Sequence, residues 1–156
     1  MTKAEQAVEF MRSGFNCAQA VIKAYASELG ASEEAAVRMA SSFGGGISRT
    51  GQVCGALSGA AFVLGARFGF TDPAEGDKRE KTYAMVQKLF DAFHKEHGTV
   101  LCPELTGFDM RNPEELQRAR EEGVFSKKCP AFVSSSARIL EEVLKAEGIS
   151  HGTALP

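Results

Sequence analysis

Helix punctuation recurs along the whole chain and limits the fold more than any other feature of the sequence. Thr2 with Glu5 three residues on reads as a capping box, and Ala4, Ala7, Val8 and Met11 follow at helical spacing. Asn16 is placed to cap a helix that opens at Cys17, carries Val21, Ala24, Tyr25 and Leu29 on one stripe and closes at Gly30. Ser32 opens a third, with Glu33 and Glu34 in its first turn and Val37, Ala40 and Phe43 as apolar positions, stopping at Gly44-Gly45-Gly46. Asp72-Pro73-Ala74-Glu75 starts a long helix whose buried stripe is Tyr83, Val86, Leu89, Phe90 and Phe93, ended by Gly98. Cys102-Pro103 starts a short one, Asn112-Pro113-Glu114-Glu115 a modest one, and Cys129-Pro130 a last one with Val133, Ala137, Leu140 and Leu144 in register, stopped by Gly148. No run alternates convincingly at period two, and the β-branched clusters that mark strands are missing. The chain is expected to be all-α: one compact, bundle-like helical domain over 1–148 with about six to eight helices, followed by a loose tail over 149–156.

A chain of 156 residues buries roughly 70% of the surface its unfolded form exposes, so it holds a real core. Hydrophobic content of 44%, charged content of 24% and a net charge of −2 describe an ordinary soluble globular protein. Neither a nucleic-acid footprint nor a polybasic membrane patch is present. The first residues contain no apolar run of signal-peptide length, and no segment approaches a membrane span, so a cytoplasmic location is expected. In a reducing compartment, four cysteines point to metal binding or catalysis more than to a structural disulfide framework.

The stretch from Phe43 to Ala60, a third of it glycine, ends its loop at Cys54 and runs on into small and apolar residues that suit a buried helix. A thiol therefore stands where a glycine loop meets a helix N-terminus, whose free N–H groups favour thiolate over thiol. The other cysteines repeat this placement: Cys17, Cys102 and Cys129 each fall at or next to an expected helix start. By helical spacing Cys17, Cys54 and Cys129 share stripes with core residues and face inward, and Lys127 and Lys128 add positive charge beside Cys129. A single inward cysteine is most simply a small hydrophobe. Four in the same kind of position make a shared redox or metal site, with Cys17, Cys54, Cys102 and Cys129 as catalytic residues or metal ligands and Gly44, Gly45, Gly46, Arg49 and Gly55 as the loop beside them.

The pieces Gly14-Phe15-Asn16-Cys17-Ala18-Gln19-Ala20-Val21, Cys54-Gly55-Ala56-Leu57-Ser58-Gly59, Cys102-Pro103-Glu104-Leu105-Thr106-Gly107 and Cys129 resemble the C_GCAxxG_C_C family, from about Gly14 to Leu144. The resemblance implies a redox role, inferred for the family from its cysteines. It also implies an association with transporter systems, near whose genes members are often encoded, and kinship with a module that accompanies haem domains in split-Soret cytochromes. This chain has no Cys-x-x-Cys-His, so attached c-type haem is not expected.

Other signals are weaker. Gln52 stands where a phosphate loop needs lysine, and the glycines do not form a dinucleotide fingerprint. Arg49 is either solvated or paired with an anion or thiolate. His94 and His97, three apart, offer a zinc site with Cys102. Three functions follow: electron transfer or redox sensing through a cysteine-ligated iron–sulfur cluster, metal-free thiol–disulfide exchange, and a helical binding domain with structural zinc. Absence of any Cys-x-x-Cys weighs against thioredoxin-like exchange and zinc ribbons. The redox partner, the substrate and the oligomeric state are not readable from these residues.

Overall fold

The computed structural model describes residues 1–149. Among them are eight α-helices of five residues or more: α1 Lys3–Arg12, α2 Cys17–Ala24, α3 Glu33–Ala40, α4 Gly55–Phe68, α5 Gly76–His97, α6 Cys102–Thr106, α7 Pro113–Glu121 and α8 Cys129–Ala146. The fold is all-α, and the described residues contain no strand, only an isolated antiparallel bridge between Val53 and Leu101. No helix among them is long and apolar enough to cross a membrane.

Caps expected from the sequence set the boundaries. Thr2 and Glu5 bond reciprocally at the start of α1, Asn16 and Gln19 at the start of α2, and the Asn112 side chain accepts from the Glu114 and Glu115 N–H groups at the start of α7. Gly98 ends α5 with a left-handed φ of 79°. Other boundaries differ. Helix α2 stops at Ala24, and Ala26–Glu28 tightens into a 3₁₀ turn that still buries Tyr25 and Leu29. A second 3₁₀ turn, Ser41–Phe43, follows α3 and leaves Phe43 38% exposed, so Phe43 is not a core position. At Asp72 and Glu75 the carboxylates bond the Ala74 and Thr71 N–H groups, closing a turn and delaying α5 to Gly76. In α5 the buried stripe is Thr82, Met85, Leu89 and Phe93, not Tyr83, which is 52% exposed. Thr82 is tolerated there because its hydroxyl donates to the Phe68 and Lys78 carbonyls at 2.8 Å each. Ile149 packs against the core, and the rest of the expected tail lies outside the described residues.

The main core centres on α4, which buries Ala56, Leu57, Ala60, Val63 and Leu64 and packs on α2, α5 and α8, while α1 lies across α2 and α8. Helices α2 and α4 come unusually close at Gly59, where a Cβ would stand 2.8 Å from the Ala18 carbonyl oxygen and 3.3 Å from the Val21 Cβ. A buried ionic cluster that the sequence did not betray ties three elements together: Glu28 bonds Lys3 of α1 at 2.7 Å and Arg67 of α4 at 2.8 Å. Phe108, Met110, Ala119 and Val124 form a smaller second cluster, against which Cys129 packs.

The two glycines of α4 should respond to alanine with opposite signs. Gly59→Ala forces a methyl against backbone and should lower stability by about 1–3 kcal/mol. Gly65→Ala, where nothing lies within 4 Å of the added carbon, should raise it by about 0.5–1 kcal/mol. Urea denaturation followed by circular dichroism reads both; equal effects would mean that α2 and α4 are not packed as described.

Candidate functional site

Each of the four cysteines stands at a helix start, and the local reason differs. Cys17 is the first residue of α2, fixed there by the reciprocal Asn16–Gln19 cap, while the Asn16 amide also donates to the Ser41 carbonyl at 3.0 Å and anchors the glycine loop. Cys54 caps α4, its carbonyl accepting from the Leu57 and Ser58 N–H groups. Cys102 opens α6. The Val53–Leu101 bridge joins these two helix starts: the Cys54 N–H donates to the Val100 carbonyl at 2.8 Å, and the Cys102 N–H to the Gln52 carbonyl at 2.9 Å. Cys129 opens α8 and is followed by Pro130, which sits at the second helical position where no intrahelical N–H is needed.

All four cysteines line one cavity of about 640 Å³ between the main core and the second cluster. Cys54 and Cys102 are buried, Cys17 and Cys129 partly exposed, and all four are free thiols. Gly44, Gly45, Arg49 and Gly55 line the same cavity. Gly46 does not; it is buried behind the wall, where a Cβ would meet the Cys102 Cβ at 2.7 Å and the Gln52 carbonyl oxygen at 2.8 Å. Met11, Phe15, Met110, Arg120, Phe125 and Phe132 complete much of the wall; Met11 stood on the expected stripe of α1 and Phe15 in the segment before Cys17, and nothing in the local sequence marked the other four. Their convergence depends on how α1, α7 and α8 are packed.

The glycine loop is not a flexible connector. From Gly45 to Arg49 five consecutive residues have φ between 51° and 70°, one left-handed turn that includes the non-glycine residues Ile47, Ser48 and Arg49. Left-handed backbone costs an L-residue roughly 1–2 kcal/mol. The turn is held by the Ser48 N–H on the Gly44 carbonyl, the Ser48 hydroxyl on the Ser42 carbonyl, and the Gln52 N–H on the Gly46 carbonyl, at 2.8 to 3.0 Å. Strain of this kind is sustained only where surrounding structure over-determines it, and functional sites are where it concentrates.

The turn aims the Gly45 N–H at the Cys17 sulfur. Together with the Cys54 thiol, which donates to the same sulfur, and the N–H groups of Ala18 and Cys17 itself, it forms a donor set for a thiolate. The Cys54 hydrogen bond is the largest influence, and it outweighs burial to bring the Cys17 pKa down to about 6. The other three thiols go the opposite way. Sharing its proton with Cys17, and burial, hold Cys54 well above the usual thiol range; burial and the Cys17 charge push Cys102 up to about 11 and Cys129 to about 12. A helix start therefore does not by itself make a thiolate here: a backbone N–H lowers the pKa at Cys54 and at Cys129 as well, yet burial and the neighbouring thiols outweigh it. Nor do the two lysines rescue Cys129: the Lys128 ammonium bonds the Thr106 carbonyl and Lys127 the Glu122 carbonyl.

Among the described residues no three histidine, cysteine or carboxylate side chains are gathered closely enough to hold a metal ion. His97 of the His94–His97–Cys102 trio packs instead on the Phe93 and Phe132 rings.

The family model described as "Putative redox-active protein (C_GCAxxG_C_C)" matches residues 15–143, and the chain belongs to that family. No curated protein and no solved structure matches it.

Cys17 should alkylate as a thiolate far below the ordinary thiol pH range. Iodoacetamide labelling of the Cys17 peptide, followed by mass spectrometry, should give a rate midpoint near pH 6, falling about tenfold per pH unit below it. Cys54→Ala removes the strongest donor and should move the midpoint upward. An unchanged midpoint would remove Cys54 from the account.

Proposed function

We propose that the protein is a thiol–disulfide redox protein whose reacting couple is Cys17 and Cys54. The observation that carries this reading is the close approach of the Cys54–Gly55 helix start to Cys17, where a Cβ on Gly55 would stand 2.5 Å from the Cys17 sulfur, with the two thiols lining one cavity and shifting each other's ionisation in opposite directions. In the reductive direction the Cys17 thiolate attacks one sulfur of a disulfide substrate, forming a mixed disulfide and releasing the other half as a thiolate. The negative charge leaves Cys17 at that moment, so the influence raising the Cys54 pKa weakens and its proton passes to solvent. The Cys54 thiolate then attacks the Cys17 sulfur, forming the Cys17–Cys54 bond and expelling the second substrate thiolate. Two electrons pass from the dithiol to the substrate, and the reverse sequence oxidises a dithiol.

Cys102 and Cys129, whose pKa values burial pushes up, add no charge to the cavity wall at neutral pH. The cytoplasm, with its reduced thiol pool, is the compartment in which such a couple would be recharged. Electron transfer through a four-cysteine iron–sulfur cluster would require the sulfurs of α2, α4, α6 and α8 to close around one centre, and among the described residues no three of these side chains are gathered closely enough to hold a metal ion.

The sequence of attacks is testable by trapping. With Cys54→Ser, a small disulfide should leave a stable mixed adduct on Cys17, visible as an intact-mass increase of one substrate half; with Cys17→Ser, no adduct should form at a comparable rate. Equal adduct yields in the two variants would reverse or abolish the assignment.

A further inference from the structure

We infer that the cavity receives a small disulfide with an apolar body and acidic groups, Arg49 and Arg120 taking the acid while the S–S bond meets Cys17. This rests on the Cys17–Cys54 reading and adds the class of substrate.

The volume of about 640 Å³ suits a small organic molecule rather than a folded protein's loop. Its wall is largely apolar, built from side chains such as Met11, Phe15, Leu105, Met110, Phe125 and Phe132. Among the described residues, the ionised side chains on that wall besides Cys17 are Arg49 and Arg120, and no carboxylate lines it. Neither arginine has a carboxylate partner among the described residues, whereas Arg12, Arg38, Arg67 and Arg138 are each ion-paired. The wall therefore carries a net positive charge even with Cys17 as thiolate: two guanidinium groups against one sulfur. Arg49 is also held in place. It closes the left-handed turn at φ 67°, and its stem lies over Gly45, where an added Cβ would meet the Arg49 Cγ at 3.3 Å. Since the Gly45 N–H bonds the Cys17 sulfur, the guanidinium is carried by the same short turn that builds the thiolate site. Arg120 approaches from α7, next to buried Ala119 of the second cluster. A cationic disulfide would meet this pair unfavourably, and a purely polar one would leave the apolar wall without contacts.

Exchange with such a molecule balances as the general scheme does. Cys17 displaces one acid-bearing thiolate, Cys54 displaces the second, and the protein leaves with one new disulfide while the substrate leaves as two thiols.

The test compares two aromatic disulfides with the reduced full-length protein at pH 8: 5,5′-dithiobis(2-nitrobenzoate), which carries a carboxylate on each ring, and the smaller, neutral 2,2′-dithiodipyridine. The first releases a chromophoric thiolate and the second a leaving thiolate that takes up a proton to give a chromophoric thione, so rate and stoichiometry at Cys17 are read directly in a Cys102→Ala, Cys129→Ala background. The ratio of the two second-order rates should fall about tenfold in the Arg49→Gln, Arg120→Gln double variant, a size that fits two exposed ion pairs. Arg38→Gln, an exposed arginine that is not among the residues lining the wall, should leave it unchanged. A ratio unaltered by the double substitution overturns the acidic-substrate inference and leaves the couple standing. If neither probe releases two thiolates per protein, the Cys17–Cys54 couple itself fails, and this inference with it.

Discussion

The missing side chain at position 55 is the constraint on which the site depends. A Cβ there would stand 2.5 Å from the Cys17 sulfur and 2.7 Å from the Phe43 carbonyl oxygen, so the start of α4 can approach α2 and the glycine loop only as glycine. That approach puts Cys54, one residue earlier, in hydrogen-bonding reach of Cys17. Gly46 plays the same part against Cys102, and Gly59 lets the α2–α4 crossing continue tightly below the site. The packing of the core and the placement of the thiols are thus one arrangement: α4 delivers Cys54 because its small residues let it sit at the centre of the molecule.

From that arrangement comes a division of charge. One sulfur gathers several donors, while at the other three burial and the neighbouring thiols prevail, so a site with four cysteines presents one thiolate. The Cys54 proton serves both states, stabilising Cys17 before attack and being released once Cys17 is bonded. The left-handed turn supplies the Gly45 N–H on the same side, at a backbone cost that the bonds among Ser42, Gly44, Gly46, Ser48 and Gln52 offset.

Much of this was legible in the sequence because caps and stop signals act locally. The Asn16 cap placed Cys17, Asn112-Pro113 placed α7, and the glycine stretch marked Cys54 as a helix start. What escaped depends on contacts between distant residues. The Val53–Leu101 bridge is too short to show a period of two, yet it joins the starts of α4 and α6. Glu28 reads as a surface acid until Lys3 and Arg67 close on it. Tyr83 sits one residue from Thr82, and only the carbonyls of Phe68 and Lys78 decide which of the two faces the core. Four helix starts suggested four stabilised thiolates; the balance between burial and direct donors, which sequence spacing does not encode, selects Cys17 alone.

The most direct measurement of the central claim is a peptide map of the protein after stoichiometric oxidation with one equivalent of a small disulfide. The account predicts a single dominant crosslink joining the Cys17 and Cys54 peptides, with Cys102 and Cys129 recovered as free thiols. A dominant Cys102–Cys129 crosslink, or an even scramble among the four, would contradict it.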